Sequence, residues 1–111
     1  MTQYLVAIHR PDDYDASVED DAMRREIRAL NVEMVAAGVR KFVGGLAPPR
    51  EARAVRVKDG NALVTDGPYI ETKEHMGGLW VLETDTLDEV LDWARKAAIA
   101  CRAPVEVRPF L

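Results

Sequence analysis

Apolar positions at strand and helix spacings divide the chain into strands and two helices. The first strand is predicted over Tyr4–His9, a run that is apolar on both faces and suits the centre of a covered sheet. In the first predicted helix, Val18–Ala37, apolar residues recur every three or four positions and form one stripe. Ser17 is its predicted N-cap, and Asp20 completes an approximate capping box.

The remaining strands are short, and a second helix lies near the end of the chain. Asp59-Gly60 is a strong signal for the turn of a β-hairpin. The second helix opens with a capping box formed by Thr86 and Glu89 and is predicted to end near Ala100. The further predicted strands are Lys41–Leu46, Ala54–Lys58, Ala62–Thr65, Leu79–Thr84 and Pro104–Arg108.

These elements predict a single α+β domain over residues 1–111. We interpret their order as βαβββαβ, in which the hairpin is counted as one extra strand of a ferredoxin-like protomer and Val55 and Val57 face the core. Both helices then cover one face of a mostly antiparallel sheet, and the other face needs a cover of its own. A second copy of the same sheet, packed across a two-fold axis, is the simplest cover, so we predict a homodimer.

Composition and charge narrow the function classes. The 111 residues are 48% hydrophobic and 31% charged, which is typical of a globular domain. A net charge of −4 disfavours direct binding to nucleic acids. No apolar run approaches the roughly 20 residues of a membrane helix, and the N-terminus lacks the pattern of a signal peptide. The lone Cys101 is interpreted as a small buried residue in a reducing compartment, so we expect a cytoplasmic protein.

The segment Asp66–Gly78 is rich in charge, opens with a tight turn and closes with two glycines. Asp66 has two interpretations: its carboxylate accepts backbone amides of the turn, or it is an acid or base that faces a cleft. His9 ends the first strand beside a loop, where it is either a second proton-transfer group or a half-buried histidine bonded to the backbone.

Four further residues form the predicted substrate-binding set. In this set the cationic side chains of Lys73 and Arg108 hold an anionic group of the substrate. The alternatives are a solvated charge run in the segment and a salt bridge between Glu106 and Arg108 on one strand face. Glu71 and His75 have a spacing that suits a metal only in a helix, and we predict no metal and no organic cofactor. The predicted set is Tyr69, Glu71, Lys73 and Arg108.

The sequence DGPYIETKE at 66–74, followed by Gly77-Gly78, closely resembles the signature of DGPF-domain proteins, a branch of the YCII-related superfamily. The motifs GLAPP at 45–49 and EVRP at 106–109 support the resemblance, which covers essentially the whole chain. Tyr69 stands where the family usually has Phe, and it adds a hydroxyl to the aromatic ring. The resemblance implies a dimeric α+β barrel of ferredoxin-like protomers.

The resemblance leads to two functional hypotheses. The first is a small-molecule enzyme of the lyase or hydrolase type, with a polar cleft near the 66–78 loop in which Asp66 and His9 are catalytic. The second is a non-catalytic regulatory or ligand-binding module associated with a sigma factor of the extracytoplasmic-function type. An enclosed polar pocket would favour the enzyme, whereas an exposed apolar patch outside the dimer interface would favour the module.

Overall fold

Two helices pack on one face of an antiparallel sheet. The structure, a computed structural model, describes residues 1–111. Its elements are β1 (Thr2–Pro11), α1 (Asp21–Ala36), β2 (Arg40–Gly45), β3 (Arg53–Lys58), β4 (Asn61–Asp66), β5 (Glu74–Thr84), α2 (Leu87–Cys101) and β6 (Val105–Pro109). The main sheet has the order β2-β5-β1-β6, and all its neighbouring strands are antiparallel. The predicted ferredoxin-like class is confirmed, although the hairpin contributes two strands and the full order is βαββββαβ.

The helices begin at aspartate and threonine caps. The backbone N–H of Met23 donates to the Asp20 carboxylate at 2.8 Å, so α1 begins at Asp21, and the prediction of Ser17 as the cap is wrong. Ser17 lies in a short 3-10 turn because its own N–H donates to the carboxylate of Asp15. The prediction for α2 is confirmed, since the Thr86 hydroxyl accepts the N–H of the residue three positions later.

The core lies between the helices and the sheet face that they cover. It combines alternate residues of the central strands with the apolar stripes of both helices. Trp80, the largest side chain in it, is 2% exposed, and its indole N–H donates to the amide oxygen of Asn31 on α1. The principal core residues are Tyr4, Val6, Leu30, Met34, Trp80, Leu82, Val90, Ala94, Ala97 and Cys101.

The β3–β4 hairpin stands outside the main sheet. Val55 is 63% and Val57 79% exposed, so the prediction that they face the core is wrong; Ala54, on the other face of β3, is buried. Alternation along a strand shows which residues share a face, but another part of the chain has to cover that face. Here β2 pairs directly with β5, and the hairpin connects the end of β2 to the start of β5 outside their sheet. The radius of gyration is accordingly 16.0 Å, against roughly 13 Å for a compact chain of this length.

The opposite face of the main sheet has no helix over it. Leu5 pairs with Val81, and Val81 in turn pairs with Phe42, so these side chains lie on the face away from the helices. The Phe42 ring is 57% exposed. An apolar stripe thus crosses three strands with no helix over it, in which Leu5 and Val81 are half-buried and Phe42 is exposed. None of the helices has the length and apolar character needed to cross a membrane.

Candidate functional site

A cleft of about 390 Å³ opens at one end of the sheet, on the face that the helices cover. It lies between the middle of α1, the chain that joins β1 to α1, and the proline-containing loop after β2. Half of its lining residues are hydrophobic, so its walls are less polar than predicted. The side chains that define it are Ile8, Arg10, Tyr14, Glu19, Ile27, Asn31, Val43, Leu46, Pro48, His75, Met76 and Trp80.

The cleft depends on an irregularity in the pairing of β1 with β5. Ile8 pairs with Gly78, whereas His9 pairs with Met76, so Gly77 is an extra residue on β5. Both strands continue beyond this bulge, and β5 begins at Glu74, five residues earlier than predicted. The last part of the presumed loop is therefore strand.

Arg10 and His75 are directly opposite each other beyond the bulge, and both line the cleft. Side chains in such a pair lie on the same face, with their Cβ atoms about 5 Å apart. A Cβ atom at Gly77 would lie 2.6 Å from Cγ of Arg10, so glycine leaves the space through which the arginine side chain passes. The bulge thus brings a cation and an imidazole side by side at the mouth of an apolar cavity.

The two groups that the guanidinium of Arg10 contacts directly are neutral. One of its nitrogens donates to the backbone carbonyl of Cys101 at 2.7 Å, and its central carbon lies 4.4 Å from the centre of the Tyr14 ring. None of the five ion pairs in the chain includes Arg10. Its positive charge therefore lacks a carboxylate partner, although the side chain is partly buried.

Tyr14 and Glu19 form the polar wall of the cleft. The Tyr14 hydroxyl donates a 2.7 Å hydrogen bond to the Glu19 carboxylate. Burial, together with this hydrogen bond, raises the pKa of Tyr14 from 10.0 to about 12, so the phenol beneath Arg10 stays neutral even at moderately alkaline pH. Cys101 also lines the cleft, where burial raises the pKa of its thiol.

Neither of the two predicted catalytic residues lines this cleft. The Asp66 side chain is 91% exposed at the end of β4, where it pairs with Arg53 at 3.1 Å. His9 is half-buried, and alternation along β1 directs its side chain to the face opposite that of Arg10. The chain by itself does not bring Asp66 and His9 together at the cleft, and their catalytic roles stay predictions.

The predicted substrate-binding residues also lie outside the cleft. Tyr69 is 67% exposed and stacks against the guanidinium of Arg56. Glu71 and Lys73 are exposed in the link between β4 and β5, and Arg108 is exposed on β6. Because that link is not helical, the helical spacing considered for a metal at Glu71 and His75 does not exist, and no group of three or more ligating side chains is suited to hold a metal ion.

Sequence reasoning missed Arg10, Tyr14 and Glu19, and it considered His75 only as a metal ligand. Arg10 could have been found, because alternation continued beyond His9 places it on the same face as Ile8. Tyr14 and Glu19 lie in a polar connection whose path depends on tertiary contacts, and no pattern in the sequence indicates that they meet.

Comparison with known proteins identifies the family of the chain. The YCII-related domain matches residues 2–110. An uncharacterized protein of Rhizobium meliloti (strain 1021) is 37% identical over 94 residues, which are 83% of this chain and 76% of that protein. The chain therefore belongs to the YCII-related domain family.

Proposed function

We propose that the protein is a small-molecule enzyme of the lyase or hydrolase type whose site is the cleft beside the 75–78 segment. The observation that carries the proposal is the pairing of Arg10 with His75 at the mouth of an apolar cavity. Imidazole is suited to proton transfer near neutral pH, and a guanidinium stabilises negative charge on a reacting group. The cavity volume falls within the range of small-molecule sites.

In this proposal each group of the cleft has a separate role. His75 is the acid or base, and Arg10 holds the negatively charged part of the substrate. The apolar walls bind the body of the substrate and exclude water. The predicted pair Asp66 and His9 forms an alternative site, and in that case a surface of the partner subunit has to complete it.

We further propose that the protein works as a homodimer in the cytoplasm. The support is the uncovered apolar stripe on the main sheet, together with the hairpin, where Val55 is 63% and Val64 66% exposed. These two valines pair directly and so share one face of the hairpin. Apolar surface of this kind is stabilised when a second subunit covers it. A reducing compartment would keep the lone thiol of Cys101 free.

The second candidate function is a non-catalytic regulatory module that binds a sigma factor of the extracytoplasmic-function type. The exposed apolar face of the hairpin favours it, since that face could receive a protein partner instead of a second copy of the chain. The cleft favours the enzyme, because a cavity of small-molecule size is not needed to bind a protein partner.

The two histidines of the chain provide a matched test of the enzyme proposal. The wild-type protein, His75→Gln and His9→Gln are each incubated with a bacterial metabolite extract, and the compounds are followed by mass spectrometry. We expect the wild type and His9→Gln to convert one compound and His75→Gln to lose this activity. If the wild type converts nothing, or His75→Gln stays fully active, the proposal is wrong. Loss of activity only in His9→Gln would favour the predicted Asp66 and His9 site.

A further inference from the structure

We infer that the ligand of the cleft is a small organic monoanion with an apolar, ring-sized body, whose carboxylate pairs with the guanidinium of Arg10. This inference rests on the proposed function, because it names the substrate class of the same site. It depends on the placement of the charges in the cleft, the free hydrogen-bond donors of Arg10, and the composition of the walls.

The placement of the charges in the cleft favours an anion beside Arg10. The charged side chains of the cleft are Arg10 and Glu19, whose charges sum to zero, and the imidazole of His75 also lines it. The Glu19 carboxylate already accepts the hydroxyl of Tyr14 and forms no ion pair with Arg10. A partly buried guanidinium without a carboxylate partner is stabilised when a ligand supplies one.

The donors of Arg10 are largely free. A guanidinium has five N–H groups, and the only hydrogen bond of this one goes to the carbonyl of Cys101. That bond and the stacking on Tyr14 hold the side chain in one orientation. A carboxylate can therefore bind to a guanidinium whose orientation is already set, which reduces the entropy lost on binding.

The walls and the volume of the cleft determine the polarity and size of the rest of the ligand. Ile27 on α1, Val43 on β2 and Leu46 in the following loop surround the cavity, and Trp80 closes it from the sheet. A volume of about 390 Å³ holds a single ring with short substituents. A dianion such as a phosphate ester fits less well, because its second charge would lie near Glu19 with one arginine to compensate.

The test compares cyclohexanecarboxylate with cyclohexanecarboxamide. The two probes have nearly the same size and shape, but the amide is neutral and carries an NH2 donor in place of one carboxylate oxygen. Trp80 lines the cleft and reports binding through its fluorescence, and Trp93→Phe removes the other tryptophan. Titrations at constant ionic strength are expected to show the carboxylate binding about ten- to a hundredfold more tightly than the amide.

Arginine variants identify the source of this preference. Arg10→Met keeps the apolar stem and removes the charge, so the carboxylate should bind about ten- to a hundredfold more weakly while the amide is unaffected. Arg28→Met is the matched control, because Arg28 is exposed on α1 and forms no ion pair. Circular dichroism checks the fold, and the wild-type comparison of the probes stands even if Arg10→Met does not fold.

The outcomes of the probe titrations decide the inference about the anionic ligand, and they do not decide the enzyme proposal. Equal affinities of the two probes for the wild type overturn the anion preference, and so does an unchanged carboxylate affinity in folded Arg10→Met. If neither probe changes the Trp80 signal, the inference is also overturned. The conversion assay with His75→Gln does not depend on these probes, and so it judges the proposed function independently.

Discussion

The side chains of Trp80 and Asn31 meet across 49 positions of the sequence, where the indole Nε1 donates to the amide oxygen at 2.9 Å. The same oxygen accepts a hydrogen bond from Arg40 at 3.2 Å, and the amide nitrogen donates to the carbonyl of Ile27. One asparagine on α1 thus satisfies the polar atom of the largest core side chain and connects the helix to the sheet. It also holds the indole that closes the cleft.

Removal of this amide should destabilise the protein. Asn31→Ala leaves the N–H of Trp80 buried without a partner, which costs about 1–3 kcal/mol in the free energy of unfolding. Urea denaturation measures the change. Asn61→Ala is the control, because Asn61 is exposed and its hydrogen bond to Asp59 is long, at 3.4 Å. Equal stabilities of the two variants would show that the Trp80 bond contributes nothing.

The bulge provides a second prediction. Gly77→Ala introduces a Cβ atom only 2.6 Å from Cγ of Arg10, so the backbone or the base of the arginine side chain must move. Overpacking of this kind costs about 1–3 kcal/mol, and the displaced guanidinium should bind carboxylates more weakly. Gly45→Ala is the matched control, because a Cβ atom there meets nothing within 4 Å. Thermal unfolding and probe titration measure both effects, and identical behaviour of the two variants would contradict the prediction.

The uncovered stripe of the main sheet leads to a prediction about assembly. We expect the protein to sediment at micromolar concentration with twice its chain mass of 12.4 kDa, and Phe42→Glu to sediment as a monomer. The charged side chain would be buried in the proposed interface, whereas it is solvated in the free chain. Val32→Glu is the control, since Val32 is exposed on α1, away from that face. A monomeric wild type, or a dimeric Phe42→Glu, would contradict the homodimer.

Tyr14 should make the stability depend on alkaline pH. Its pKa is about 12 in the folded protein and 10.0 in the absence of burial. Below pH 10 the phenol is neutral in both states, so it contributes no pH dependence. Between pH 10 and 12 the unfolded state loses the proton first, so the free energy of unfolding falls as pH rises. Tyr14→Phe should flatten this slope, which urea titrations at several pH values measure.

A variant of Glu19, which accepts the hydrogen bond of Tyr14, separates the effect of charge on the Tyr14 pKa from the effect of burial. Glu19→Gln keeps a hydrogen-bond acceptor but removes the negative charge that disfavours the phenolate. The pKa of Tyr14 should fall in this variant, although burial, the largest cause, keeps it above 10.0. Absorbance at the phenolate band, with Tyr14→Phe subtracted, measures this pKa. A pKa that does not change would show that Glu19 has no influence on the phenol.

The thiol of Cys101 should react slowly in the native protein. It is 1% exposed, and burial raises its pKa, so little thiolate is available and access is restricted. We expect alkylation by iodoacetamide at pH 8 to be slow until the protein is unfolded in urea. Ser17→Cys provides an exposed thiol on the same chain and should react at once. Rapid modification of native Cys101 would mean that the cleft opens to this depth.

Much of the fold follows from local signals in the sequence. The apolar stripes predict both helices, Thr86 marks the start of α2, and Asp59-Gly60 marks the hairpin turn, where both residues have positive φ. These signals are reliable because each depends on residues within about four positions of one another. Where two local acceptors compete, as Ser17 and Asp20 do before α1, the pattern does not show which one caps the helix.

The site depends on relationships that no local pattern contains. The charged motif at 66–74 led to most of the predicted site residues. In the structure, however, its charged side chains lie in solvent or at the surface of the hairpin. Arg10 and His75 are 65 positions apart in the chain, and they meet because one extra residue at Gly77 shifts the register of β5 against β1. A shift of one residue moves a side chain to the other face of a sheet.

The sequence by itself thus determined the elements, the α+β class and the need for a cover on the second sheet face. Only the tertiary structure decided which strand faces are covered, how far the hairpin projects, and which polar side chains line the cleft. The physical reason is that helices and turns form from contacts between near neighbours, whereas strand register and burial depend on pairing between distant parts of the chain.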